Sequence, residues 1–286
     1  MSKVIILTSI IFLVFEVSCK ARREAGSESL PGLQEVEKGF AEVNGTLLYY
    51  EVAGSGDHIV LVHGNFGDCR YYDSQFEVFA RNYRVLRYDV RGYGKSKLPD
   101  LGVPYSDFED LKALMEYLDI PKAHIAGFSM GSGIAVDFVL AYPEMCSSLI
   151  PIGPWANGYD SPATASLWQE FGTIMAAAKE NGREAALVEV LRAHWWRPEK
   201  VPSPVMDRLK QICDDYSFWH FSNPDPRLFL DPPAVQQLDR IKVPVLIITA
   251  QYDVDACREI ADLMEDKIPN SRKVDFAGAT HMMLME

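Results

Sequence analysis

The stretch His124-Ile125-Ala126-Gly127-Phe128-Ser129-Met130-Gly131-Ser132-Gly133 decides how this chain is read. It holds G-x-S-x-G at positions 127, 129 and 131. Before the serine lies an apolar run that reads as a strand. After it, residues 130–142 read as a largely apolar helix ended by Pro143. A strand-to-helix turn this sharp tolerates only small residues two positions either side of the serine, because a side chain would meet neighbouring backbone. The Ser129 hydroxyl then projects above the sheet, with the N-terminus of the helix aimed at a reacting oxygen. Ser132 is a rival hydroxyl, but it lies a turn into the helix and lacks the sharp turn.

Towards the N-terminus, residues 40–43, then Asn44-Gly45, then residues 47–52 predict a β-hairpin with a type I′ turn. Ile59-Val60-Leu61-Val62-His63 is a continuous apolar run, as expected of a strand covered on both faces. Similar runs stand at 84–88, 124–128, 148–152 and 245–250. Between them, apolar residues at 108, 111, 114, 115 and 118 mark one face of a helix, and 256–266 reads as another. Alternating strands and helices predict a mostly parallel, doubly wound α/β sheet. Residues from about 154 to 239 break the alternation: they hold no strand-like run but carry all five Trp. They read as a helical cap over the sheet. The aromatic residues serve first its own core, and then as an apolar wall favouring small, uncharged ligands, with Phe66 and Trp155 as candidate substrate contacts.

A serine hydroxyl is a poor nucleophile until a base takes its proton, and the base needs an orienting acid. In a sheet of this kind the partners follow in the order Ser, Asp or Glu, His. Gln251-Tyr252-Asp253-Val254-Asp255 follows one strand, and Ala277-Gly278-Ala279-Thr280-His281 follows the next. Asp253 and His281 are therefore the expected acid and base. Asp255 opens the following helix and reads as its N-terminal cap. An oxyanion needs two backbone N–H donors. Met130 supplies one, and the loop Val62-His63-Gly64-Asn65-Phe66-Gly67 supplies the other, at Asn65 or, failing that, Phe66. His63 is read as structural.

These residues resemble the α/β-hydrolase superfamily: His63-Gly64, the run Asp89-Val90-Arg91-Gly92-Tyr93-Gly94-Lys95-Ser96, Gly127-Phe128-Ser129-Met130-Gly131, Asp253 and Gly278-Ala279-Thr280-His281. The D-x-R-G-x-G-x-S run is similar to that of the branch containing carboxylesterases, enol-lactonases, carbon–carbon bond hydrolases and cofactor-free haloperoxidases. The resemblance spans residues 38–286 and implies an α/β-hydrolase fold, a cap and no cofactor. It implies a serine hydrolase that cleaves a small carboxylic ester, thioester or lactone through an acyl-enzyme on Ser129. An acyltransferase or a carbon–carbon bond hydrolase would use the same triad. A weakly catalytic ligand-binding protein is the alternative of another class. Ser129 excludes the haloalkane dehalogenase and epoxide hydrolase chemistries, which place an Asp there. Two departures stand out. Ala250 replaces the usual Gly before the acid loop, and family members continue into a C-terminal helix where only five residues follow His281 here.

Composition fits a globular chain able to bury a core. Of 286 residues, 48% are hydrophobic, and the formal charge of -12 argues against a nucleic-acid partner. Weak repulsion of anionic substrates follows, unless a local cation such as Arg192 or Arg197 offsets it. Five Cys form no C-x-x-C, and the six His show no metal-ligand spacing, so no metal is expected. At the N-terminus Lys3 precedes a largely apolar run from Val4 to Phe15, too short to span ~30 Å of hydrocarbon but right for a signal peptide over residues 1–19. Its ending, Glu16-Val17-Ser18-Cys19, resembles a bacterial lipoprotein signal, although Glu16 stands where Leu is usual. Export to a bacterial envelope is expected, with Cys19 as a possible membrane tether and residues 20–37 as a polar linker.

Overall fold

The computed structural model describes residues 36–286. The signal peptide, Cys19 and nearly all of the polar linker lie outside the described residues. Eight strands form one sheet in the order β1-β2-β4-β3-β5-β6-β7-β8. They are β1 (Glu37–Val43), β2 (Thr46–Ala53), β3 (His58–Val62), β4 (Arg84–Tyr88), β5 (Ala123–Phe128), β6 (Cys146–Ile152), β7 (Val245–Tyr252) and β8 (Ser271–Thr280). The β1–β2 and β2–β4 pairs are antiparallel and the rest parallel. The predicted hairpin is present: Asn44 and Gly45 both take positive φ, at 46° and 72°, as a type I′ turn requires. Each predicted central strand lies within two residues of its expected bounds, because runs such as Ile59 to Val62 can only be covered by packing helices on both faces.

Those helices are α1 (Asp73–Phe79), α2 (Asp107–Tyr117), α3 (Met130–Ala141) and α8 (Asp255–Lys267). The short α1 has no clear apolar period and was not legible in the sequence. Between β6 and β7 the chain leaves the sheet to build α4 (Pro162–Asn181), α5 (Arg183–Arg192), α6 (Ser203–Asp214) and α7 (Trp219–Ser222). A reciprocal Ser161–Thr164 capping box with Pro162 at the first position starts α4. Gly182, at φ 83°, separates it from α5. A single parallel bridge, Tyr105 to Arg227, ties this helical segment to the loop before α2.

The D-x-R-G-x-G-x-S run is structural. Asp89 accepts the N–H groups of Cys69 and Lys95, at 3.0 and 2.9 Å. Arg91 clamps Asp110 through two 2.7 Å bonds. Gly94 sits at φ 51° with Asp89 Oδ2 2.2 Å from where a Cβ would be, so no other residue fits. Among the described residues, no helix is long and apolar enough to cross a membrane.

Candidate active site

Ser129 stands between β5 and α3 with φ 53° and ψ −116°, a backbone conformation that a β-substituted residue holds only under strain. Its flanking glycines are obligatory. A Cβ on Gly127 would lie 2.1 Å from the Gly131 carbonyl oxygen, and one on Gly131 would lie 2.2 Å from that of Val62. Close packing of β5, α3 and β3 is what holds the serine at the tip of the turn.

His281 follows β8, and its Nε2 lies 3.0 Å from Ser129 Oγ. Its Nδ1 lies 2.5 Å from Asp253 Oδ1. Asp253 is fully buried, accepts the Val254 N–H at 2.8 Å on the same oxygen, and takes the Thr249 hydroxyl at 3.2 Å on Oδ2. The sequence-predicted Ser129, Asp253 and His281 are thus one continuous hydrogen-bonded chain, although 152 residues separate the serine from the histidine. Hydrogen bonds from neighbouring elements help to hold the five residues after His281. Gln75 Nε2 donates to the Leu284 carbonyl at 2.8 Å, and the Thr280 N–H donates to Glu286 at 2.9 Å. Asp255 does not cap α8. Val254 occupies the cap position without a side-chain bond, because Asp255 already has helical geometry; its carboxylate instead faces Arg197 at 3.6 Å.

Of the two oxyanion candidates in the early loop, the geometry separates Asn65 from Phe66. The Phe66 N–H is consumed by Asn65 Oδ1 at 2.8 Å. The Asn65 N–H bonds to no other group among the described residues. The Met130 N–H opens α3 and, as the first of a helix, has no intrahelical acceptor. Asn65, Met130, Ser129 and His281 line one cavity. His63 is structural, as read: Nε2 accepts the Val90 N–H at 2.9 Å, Nδ1 lies 2.7 Å from the Gly64 carbonyl, and burial keeps the ring neutral. Ser132 is buried inside α3 and accepts the Trp155 N–H at 3.2 Å, away from the histidine.

The cavity holds about 380 Å3 beneath the cap. Phe66 and Trp155, both expected there, line it together with Phe171, Trp195 and Trp196. The Phe66 ring stacks against Trp195 and Phe221, with centroids at 5.9 and 5.1 Å. The lining is not purely apolar, however. Asp107, Asp137, Asp225 and Arg227 reach it, and none of them was singled out by sequence reasoning. Asp137 carried a signal, as the one charged residue of α3. Arg227 carried none, since Asn223-Pro224-Asp225-Pro226 reads as ordinary loop. Arg227, rather than Arg192 or Arg197, is the cation at the cavity.

Among the described residues, two groups come within ligand reach of a common ion, Asp253–Cys257–His281 and Asp68–Cys69–Asp89. Their carboxylates are already engaged by the bonds above and, for Asp68, by Arg70 at 2.6 Å. Burial pushes both thiols well above their ordinary range, which disfavours the thiolate a metal needs.

Residues 57–286 match the family model of the alpha/beta hydrolase fold, and the chain belongs to that family. Over 245 residues it is 27% identical to the RutD protein of Azorhizobium caulinodans, whose name points to carbamate hydrolysis; the match covers 82% of this chain and 88% of that protein. The enol-lactonase from Burkholderia xenovorans LB400 superposes with a TM-score of 0.69 at 24% identity, over 85% of this chain and 93% of that one. The esterase EaEST from Exiguobacterium antarcticum gives 0.68 at 24% identity, over 85% and 92%. At these identities the structural likeness speaks to the fold. The chain is an α/β-fold hydrolase.

Proposed function

We propose that the protein is a serine hydrolase acting on a small carboxylic ester, thioester or lactone through an acyl-enzyme. The observation that carries this reading is the unbroken chain from Ser129 Oγ through His281 to buried Asp253, opening into a cavity lined by the cap. In this reading His281 Nε2 takes the serine proton as Oγ attacks the carbonyl carbon. Asp253 holds the Nδ1–H tautomer and stabilises the imidazolium. The developing oxyanion is met by the N–H groups of Met130 and Asn65. His281 then protonates the leaving group, and water, activated by the same nitrogen, releases the acid. A purely ligand-binding protein would have no use for this alignment. The same acyl-enzyme serves acyl transfer, for which one relative, an acetyltransferase component of Pseudomonas putida, is named; the carbamate hydrolase, enol-lactonase and esterase names favour water as acceptor.

The test is covalent labelling with a fluorophosphonate, followed by a panel of p-nitrophenyl esters and lactones. Ser129→Ala should abolish labelling and lower turnover by ~10³-fold or more. Persistent labelling, or labelling moved to Ser132, would sink the assignment. Export with processing at Cys19 rests on the N-terminal sequence alone. A mature chain beginning at Met1 in the native cell would contradict it.

A further inference from the structure

The cavity over Ser129 has an aromatic side formed by the cap and an ionic side formed by α3, the start of α2 and the loop after α7. Met130, Ile134 and Asp137 all line it, and their spacing places them on one face of α3. At about 1.5 Å per residue, this face leads roughly 12 Å from Ser129 to Asp137. Asp107 and Asp137 are 5% and 3% exposed. Arg227 pairs with Asp107 at 3.1 Å and with Asp225 at 3.0 Å. Asp137 meets only neutral hydrogen-bond donors, such as the Asn157 amide at 2.8 Å. Three carboxylates therefore face one guanidinium. The neighbouring Arg91 and Asp110 neutralise each other at 2.7 Å, and burial keeps His220 uncharged.

Two further observations point to a missing partner here. Of the buried side-chain polar atoms without a hydrogen bond among the described residues, the acceptors Asp107 Oδ1 and Asp137 Oδ1 belong to this group, beside Arg227 Nε, a donor that a cation leaves unpaired. Buried polar atoms are nearly always paired, and a cluster of exceptions in one cavity calls for an explanation. Burial also pushes both the Asp107 and the Asp137 carboxyl up to about 6, the response of acids that lack enough positive charge nearby.

We propose that this ionic end of the cavity is a subsite for a protonated amine at the far end of the substrate's acyl chain, bonded by the Asp107 and Asp137 carboxylates. The proposal names the substrate class of the site described above and rests on Ser129 being its nucleophile. A cation offsets the excess negative charge and donates to the two carboxylates. A hydroxyl would supply hydrogen bonds but no charge. A methyl would supply neither, and a carboxylate would be repelled. The apolar stretch between the two ends, at Met130 and Ile134, suits a methylene spacer, so the ligand is amphipathic and not the uncharged acyl group that the clustered aromatics alone suggest.

The experiment compares p-nitrophenyl 6-aminohexanoate with p-nitrophenyl heptanoate, which differ by an ammonium in place of a methyl, and with the 6-hydroxyhexanoate ester. The full-length protein should show kcat/KM at least ~10-fold higher for the amino ester than for the heptanoate, as a charge-assisted bond predicts. In Asp107→Asn and Asp137→Asn this ratio should collapse toward one. Because the ratio is internal to each preparation, partial misfolding of a variant does not alter it. Equal or better turnover of the heptanoate by the unmodified protein, an unchanged ratio in both variants, or a hydroxy ester as good as the amino ester would overturn the subsite. If no ester is turned over, the reading of Ser129 fails separately. Thermal melting then decides the subsite: heptylamine should raise Tm where 1-heptanol does not, and absence of that difference would overturn it.

Discussion

The Tyr93 hydroxyl donates to Asn65 Oδ1 at 2.9 Å, and the same oxygen accepts the Phe66 N–H at 2.8 Å. The Asn65 side chain therefore fixes the peptide that follows it, while its carbonyl accepts the Tyr71 hydroxyl at 3.1 Å. Phe66 is held at φ 64°, a left-handed conformation for a bulky residue. Tyr93 in turn lies stacked on Tyr216 and His220 of the cap, with centroids at 4.8 and 4.6 Å. The loop that offers the Asn65 N–H to the cavity is thus tied to the cap through one phenol.

If that N–H serves an oxyanion, Tyr93→Phe should act on kcat and leave KM nearly unchanged. Complete loss of one donor costs ~10²–10³-fold, so a displaced donor should cost ~10-fold or more. Affinity for an alkylboronic acid, which mimics the tetrahedral species, should fall by a similar factor. A variant that lost stability but kept kcat and boronate affinity would show that the bond is only structural.

Asp253, not Asp255, should orient His281. Asp253→Asn leaves the geometry but favours the wrong imidazole tautomer, a change costing ~10⁴-fold in kcat in the best-studied triad. Asp255→Asn should remove only a partly exposed contact with Arg197 and leave kcat within a few-fold, as surface ion pairs contribute little. The reverse ranking, measured on one ester, would reassign the acid.

Gly153 should resist substitution for two reasons. It sits at φ 52°, and a Cβ there would lie 2.8 Å from His281 Cε1. Gly153→Ala therefore combines backbone strain with displacement of the histidine. A loss of ~1 kcal/mol or more in stability is expected from the backbone alone. Turnover should fall by ~10²-fold, the cost of moving a reacting group by about 1 Å. Unchanged kcat in a folded Gly153→Ala variant would mean that His281 tolerates the shift.

What could be read from the sequence was what local physics enforces. Gly127 and Gly131 are dictated by backbone contacts within an ångström or two, and the β3, β4 and β5 runs by burial on both faces. Ser129, Asp253 and His281 are legible because each follows a strand end, so strand order brings them together. The ionic side of the cavity was hidden because its members come from three separate segments. Asp107 reads as the acidic first turn of α2, and Arg227 as loop polarity. Only tertiary packing of the cap brings them to Asp137. The mistaken cap at Asp255 has the same origin, since a one-residue shift in helix start turns a cap into a first-turn acid.

The titration of Asp137 offers a test of its burial that needs no substrate. Its carboxyl is pushed up to about 6 by burial, against an ordinary value near 3.8, with the Asn157 amide opposing the shift in part. Between these two values the folded protein binds more protons at this site than the unfolded chain. Stability should therefore decline as pH rises from about 4, with the loss complete once pH passes the folded value near 6. A shift of about two units corresponds to a change of at most ~3 kcal/mol. Asp137→Asn cannot ionise, so its stability should lack this decline, and losing the repulsion between Asp107 and Asp137 lessens the Asp107 contribution in the same direction. Urea unfolding at pH 4.5 and pH 8 measures the effect directly. Unfolding free energy should fall more over that range in the unmodified protein than in Asp137→Asn, so that the variant gains relative stability at alkaline pH. Parallel pH profiles would show that Asp137 is ionised in the folded protein at pH 4.5, and hence that it already has a cationic or solvent partner.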